Sequence, residues 1–145
     1  MTDLMKGKRG LVMGVANERS IAWGIAKALA EQGAELAFSY QGEAFGKRVE
    51  PLAASVGSDF LVDVDVNDDA SLDAAFGQIE ARWGKLDFVV HAIAFSDKNE
   101  LTGRFVDTSI DNFLMTMNIS VYSFVAVAQR AASRGLEGGP CLFFV

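Results

Sequence analysis

From residue 14 to residue 24 the chain runs Gly14-Val15-Ala16-Asn17-Glu18-Arg19-Ser20-Ile21-Ala22-Trp23-Gly24, directly after the apolar stretch Gly10-Leu11-Val12-Met13. A turn of this kind can hold an anion. Gly14 lets the chain leave a strand sharply. At Ser20 and Ile21 the free N–H groups and dipole of a starting helix would meet a diphosphate. Gly24 is expected to let that helix pack closely on the sheet. The spacing is not G-x-G-x-x-G, so the standard dinucleotide fingerprint is absent. A long loop with a Ser N-cap is the competing reading.

Other reactive groups are sparse. His91 is the only histidine and has no partner cluster, so it reads as a packed strand-end residue, not a ligand or base. Asp63-Val64-Asp65-Val66-Asn67-Asp68 opens like a calcium loop. It has Asp68 at the sixth position and Ala74 at the twelfth, where Gly and Glu are needed, so no metal site is expected. Gly42-Glu-Ala-Phe-Gly46-Lys47-Arg48 is one residue short of a P-loop and lacks its Ser or Thr. Cys141, the one cysteine, lies in an apolar run and reads as inert core; alone, it makes no internal disulfide.

The elements that must position the Gly14–Ser20 turn alternate in type. Gly10 to Gly14 is a short apolar strand. Ile21, Ile25, Ala28 and Leu29 recur at helical spacing until Gly33. Glu35 to Tyr40 is a second strand, and a helix over Glu43 to Val56 follows, with Pro51 a break and Gly57 its close. Asp59 to Val66 is a third strand. Asp68 or Asp69 caps a helix carrying Leu72, Ala75, Phe76 and Ile79, ended by Gly84. Leu86 to His91 is a fourth strand. One long helix is expected from Ser109 to about Arg134, with Ile110, Phe113, Leu114, Met117, Val121, Phe124, Val125 and Ala128 on a broad apolar face. That face suits a core or a subunit interface. Gly138-Gly139-Pro140 turns the chain into a fifth strand, Cys141 to Val145.

Such alternation implies βαβ units, right-handed crossovers and a doubly wound parallel sheet with helices on both faces, an α/β fold. The irregular stretch from Phe95 to about Asp107 lies beyond a strand's carboxyl end, where such sheets bind ligands. A strand as apolar as Leu142–Val145 expects a neighbour on each side. Residues 1–145 therefore read as a single dinucleotide-binding domain, incomplete at its carboxyl end.

With 145 residues, 50% hydrophobic and 22% charged, the composition is globular and excludes disorder as the default. Thirteen basic against 19 acidic residues give a net charge of −6, which argues against nucleic acid or an anionic membrane surface as partner. Residues 1–8 hold no apolar stretch, and unbroken apolar runs fall far short of the roughly 20 residues of a membrane span. A soluble, cytoplasmic protein is expected.

Gly14-x5-Ser20-Ile21-Ala22-x-Gly24 is followed by Gly33-Ala-Glu-Leu-Ala-Phe-Ser-Tyr-Gln41, Asp65-Val66, His91-Ala-Ile-Ala-Phe95 and Asn118-Ile-Ser-Val-Tyr-Ser-Phe124. In that order these segments resemble the bacterial enoyl-acyl-carrier-protein reductases, divergent members of the short-chain dehydrogenase/reductase family. The resemblance covers nearly the whole chain and corresponds to somewhat more than half of a family member. It implies a Rossmann-like fold and reduction of the trans-2 double bond of an enoyl group on acyl carrier protein, in fatty-acid biosynthesis. It also implies a homo-oligomer, tetrameric in the family.

By position, Gly14, Ser20 and Ile21 would contact the cofactor's pyrophosphate and ribose region, and Gln41 would lie by the adenosine ribose. Asp65 and Val66 would bracket the adenine, Ile93 would lie against the cofactor, and Phe95 and Ser96 would face the acyl substrate. Ala94 and Ser96 stand where the family usually has Gly and Ala. Neutral Gln41 neither repels nor neutralises a 2′-phosphate, and Lys47 and Arg48 lie near enough to serve NADPH, but the Gln-bearing members favour NADH. The family's catalytic Tyr and Lys follow the fifth strand, past Val145, so no catalytic residue is assigned. Tyr40 and Lys47 have the Tyr-x6-Lys spacing but begin where adenosine should lie. Tyr122, inside the long helix with Gln129 seven residues on, reads as packing. Two other readings stay open: a non-catalytic nucleotide-binding fragment, and a short-chain reductase acting on ketones or alcohols.

Overall fold

The computed structural model describes residues 3–133 and 141–145. Its strands are β1 (Arg9–Met13), β2 (Glu35–Tyr40), β3 (Leu61–Asp63), β4 (Phe88–His91) and β5 (Cys141–Phe144). They form one sheet in the order β3-β2-β1-β4-β5, and every neighbouring pair is parallel. Between them run α1 (Ile21–Glu31), α2 (Glu43–Ser55), α3 (Asp69–Trp83), α4 (Ile110–Met117) and α5 (Ser123–Ser133).

Central β1 shows why helices cover both faces. Leu11, Val12 and Met13 are fully buried, and their side chains alternate across the sheet. Leu11 and Met13 join a cluster with Leu72, Phe76 and Ile79 of α3 and with Val127 and Ala131 of α5. Val12 joins the opposite cluster, with Ala22, Trp23 and Ala26 of α1 and Val49 and Ala53 of α2. Each large side chain so enclosed contributes about 1.5–3 kcal/mol. Glycines at positive φ end the elements where expected: Gly33 (94°) after α1, Gly57 (79°) after α2 and Gly84 (67°) after α3. Asp68 caps α3, accepting from the N–H of Ala70 and Ser71.

Several expectations are corrected. Pro51 does not break α2, which runs through it. Pro51 and Lys47, whose carbonyl loses its helical partner, both face solvent, where water serves that oxygen. The third strand is three residues long and not eight. As an edge strand it pairs only with β2, which ends at Tyr40, and the chain then turns at Asp65–Asp68 into α3. Gly24 does not mediate close packing: it is exposed, and a β-carbon there would meet nothing within 4 Å.

The long helix spans Ile110–Ser133 but is interrupted by a π-helical turn at Asn118–Tyr122. There the Ser123 hydroxyl donates to the Ile119 carbonyl at 2.6 Å, competing with the regular backbone ladder. The side of this helix facing the core carries Asn112, Ser123, Ala126, Val127 and Ala131. Ile110, Phe113, Leu114, Met117, Val121 and Val125 are instead exposed, so the broad apolar face is not core. By length and composition alone this helix could cross a membrane, yet its opposite side closes the sheet. The expected turn at Gly138–Pro140, the helix end at Arg134 and the Cys141 side chain lie outside the described residues.

Candidate nucleotide-binding site

Strands β1 and β4 are neighbours in the sheet, but the chain visits β2 and β3 between them. The loops leaving their carboxyl ends therefore run to opposite sides, and a crevice opens at this switch point. A cavity of about 570 Å³ occupies it. Its walls are Gly14–Ala16 after β1, Ser39–Gln41 at the end of β2, and Phe45 of α2. Val64, Val66 and Asn67 follow from the β3 side, Ala92–Phe95 from β4, and Met115 and Ile119 from the long helix.

Gly14 is irreplaceable on geometry. Its φ is 107°, and a β-carbon would sit 2.0 Å from the Ala92 carbonyl oxygen. Only a residue without a side chain lets the two loop starts close on each other, with Ala92 N–H donating to Met13 O at 3.0 Å. Ser20 holds the N-cap position of α1 but does not cap it. Its Oγ accepts from Ala16 N–H at 2.9 Å and from Asn17 N–H at 3.1 Å, which folds the loop back on itself. The Ser20 carbonyl takes the N–H groups of Trp23 and Gly24. The N–H groups of Ile21 and Ala22 then have no partner among the described residues, and such a helix start suits an anion. The Ile21 side chain itself is 70% exposed.

Of the nine residues singled out from the sequence, Gly14, Gln41, Val66, Ile93 and Phe95 line the cavity. Ser20 stands one hydrogen bond behind its wall. Asp65 and Ser96 do not line it. The Asp65 carboxylate accepts from Asn67 N–H at 2.9 Å, and its own N–H donates to Ser71 Oγ. These bonds shape the turn that carries Val66 and Asn67. Ser96 Oγ is 3.0 Å from Thr116 Oγ1 and 3.3 Å from Asn112 Nδ2. Asn112 Oδ1 also accepts from Asp97 N–H, which ties the loop after β4 to α4.

The walls also include residues that sequence reasoning missed. Met115 and Ile119, four apart on one helix, carried a legible signal. Ser120, behind the wall, carried none: its Oγ both accepts from Phe95 N–H (3.1 Å) and donates to Phe95 O (3.2 Å), from within the π-helical turn. Asn118 Nδ2 likewise donates to Asn67 Oδ1 at 3.0 Å, joining two walls.

The tyrosine–lysine pair does not assemble. Tyr40 lines the cavity, while Lys47 pairs with Glu43 at 3.1 Å on the exposed side of α2. His91 is fully buried, with Nε2 2.7 Å from Ser123 Oγ. Because that hydroxyl donates to Ile119, Nε2 carries the proton, and Nδ1 has no partner among the described residues. Its ring stacks on Phe144 and meets Phe124 edge-on. Burial pushes its pKa below the ordinary 6.5, the behaviour of a packed neutral imidazole. Among the described residues no cluster of His, Cys, Asp and Glu could hold a metal ion.

A family model described as enoyl-(acyl carrier protein) reductase matches residues 14–143. A curated relative from Rhizobium meliloti, an NADH enoyl-[acyl-carrier-protein] reductase, is 66% identical over 98% of this chain and 53% of its own length. The solved structure of FabI from Candidatus Liberibacter asiaticus superposes with a TM-score of 0.89 at 59% identity, covering 91% of this chain and 51% of that one. The reductase of Anaplasma phagocytophilum, solved in complex with NAD, gives 0.88 at 56% identity, covering 90% and 50%. The chain thus spans about half the length of the curated relatives it matches. A match over nearly every residue, with the sheet order and the β1–β4 crevice already in place, makes this chain a member of the enoyl-acyl-carrier-protein reductase family.

Proposed function

We propose that residues 1–145 supply the dinucleotide-binding domain of an NADH-dependent enoyl-acyl-carrier-protein reductase of fatty-acid biosynthesis. The observation that carries this is the cavity at the switch point, walled by the Gly14–Ala92 close approach and flanked by the unpartnered N–H groups of Ile21 and Ala22. A glycine cradle beside a helix start fits a diphosphate. Bound there, the reduced nicotinamide supplies a hydride for the enoyl β-carbon.

The protein's own residues bind and orient. Gly14, Ser20 and Ile21 hold the diphosphate, Ser20 by pinning the Ala16 and Asn17 amides in the loop. Gln41 meets the adenosine ribose, and Val66 and the Asp65 turn bracket the adenine. Ile93 packs against the cofactor and Phe95 faces the acyl chain, with Ser96 holding the loop behind it. The apolar lining excludes water from the reacting carbons, and positioning of two partners is a major part of such catalysis. The proton that completes the reduction goes to the enolate left by hydride addition, and no residue of this domain is assigned to deliver it.

Acyl carrier protein bearing the enoyl group is the macromolecular substrate, and the protein acts in the cytoplasm as a homo-oligomer. The exposed row Ile110, Phe113, Leu114, Met117 and Val121, with Phe105 and Val106 beside it in sequence, is the surface a second copy would cover. A fluorescence titration tests the nucleotide reading: NADH binds saturably and NADPH more weakly, and no binding of either overturns it. Reduction of a crotonyl thioester by the 145-residue chain at the rate of full-length relatives would refute the division of labour. Preference for a ketone by the longer polypeptide would instead favour a different short-chain reductase.

A further inference from the structure

Dinucleotide sites that choose NADH often place an acidic residue at the end of the second strand, to take the ribose 2′-hydroxyl and repel a 2′-phosphate. Here that position holds neutral Gln41, yet a carboxylate is present from the neighbouring strand. Asp63 pairs in register with Tyr40 across β2 and β3. Its Oδ1 accepts from the N–H of Gly42, the residue directly after Gln41, at 3.0 Å. Gly42 reaches this arrangement with φ 80°.

The hydrogen bond therefore pins a negative charge over the peptide that leaves Gln41. The second carboxylate oxygen of Asp63 has no protein partner among the described residues, and the residue is exposed. Asp63 is not itself a wall residue but stands at the margin of the cavity, where its neighbours Tyr40, Gln41 and Val64 form the lining. Of the basic groups nearby, Lys47 pairs with Glu43, while the Arg48 guanidinium lies 5.6 Å over the ring of Phe45, itself a residue of the cavity wall.

We propose that Asp63 is a specificity-determining residue of this site, taking from β3 the role that an acid at the end of β2 plays elsewhere. Its free oxygen accepts from the adenosine 2′-hydroxyl, and its charge opposes a 2′-phosphate. This rests on the nucleotide reading above.

The test is equilibrium titration of the protein with NADH and with NADPH. Asp63→Asn keeps an oxygen to accept from Gly42 N–H and removes only the charge. The ratio of the two affinities narrows roughly tenfold in this variant, chiefly through tighter NADPH binding. Independently, raising salt from about 0.05 M to about 0.5 M narrows the wild-type ratio, because an exposed charge is screened. A ratio unmoved by Asp63→Asn, with NADH still bound, overturns the role of Asp63 alone, whatever the salt series gives. Failure of the wild type to take either nucleotide overturns the site reading and this role together. Should Asp63→Asn not fold, the salt series decides.

Discussion

Replacing Gly14 with alanine is the most demanding test of how the site is built. The new β-carbon would stand 2.0 Å from the Ala92 carbonyl oxygen and 2.6 Å from its carbon, both backbone atoms. That is more than about 1 Å inside van der Waals contact, so no rotamer change relieves it. The ends of β1 and β4 must separate, which strains the bond from Ala92 N–H to Met13 O. Losing that bond costs about 1 kcal/mol. Holding alanine at φ 107° adds about 1–2 kcal/mol, and the residual clash brings the expected loss to about 3 kcal/mol. A domain has only about 5–15 kcal/mol to lose, so the variant still folds but its urea midpoint drops clearly. Binding suffers separately, because the displaced loop forms the cavity wall. Saturating NADH at about 100 times Kd should raise wild-type stability by about 2.7 kcal/mol, and the variant should gain almost nothing. Denaturation with and without NADH reads both effects. Wild-type stability together with full NADH stabilisation in Gly14→Ala would refute the argument.

Three further outcomes follow from the same geometry. Gly24→Ala, at an exposed helical position with open space around it, should stabilise the protein by about 0.5–1 kcal/mol in urea denaturation. Ser20→Ala removes the acceptor for Ala16 and Asn17 N–H; it should cost about 1–2 kcal/mol and weaken NADH binding several-fold by titration. Burial holds the His91 pKa below its unfolded value near 6.5, so the folded state resists protonation. The unfolded chain then binds more protons as pH falls. The stability this gives is fully present above the unfolded pKa and is lost progressively below it, at a slope of up to about 1.4 kcal/mol per pH unit. Thermal unfolding from pH 7.5 to 5 should show the loss, and His91→Gln should flatten it.

Much of the fold was legible because its signals are local. Apolar runs such as Leu11–Met13, caps such as Asp68, and glycines such as Gly33, Gly57 and Gly84 depend on near neighbours in sequence. The misreadings arose where a distant contact outweighed a local rule. Gly24 looked like a packing glycine but faces open space. Pro51 looked like a break but lies where solvent can serve the orphaned carbonyl. The long apolar face suited either core or a subunit interface; its exposure removes the first, because the small residues opposite it are what fit against the sheet.

The site divides in the same way. Residue order alone determined an alternating α/β chain, a turn from Gly14 to Ser20 suited to an anion, and a family resemblance spread over ordered segments. Only the folded chain decided that Ser20 braces the loop instead of capping α1, that Asp65 and Ser96 shape loops outside the cavity wall, and that Asp63 lies against Gly42. Hydrogen-bond partners separated by tens of residues leave no periodic trace in a sequence. Their pairing exists only once the parallel register and the π-helical turn have brought them to bonding distance.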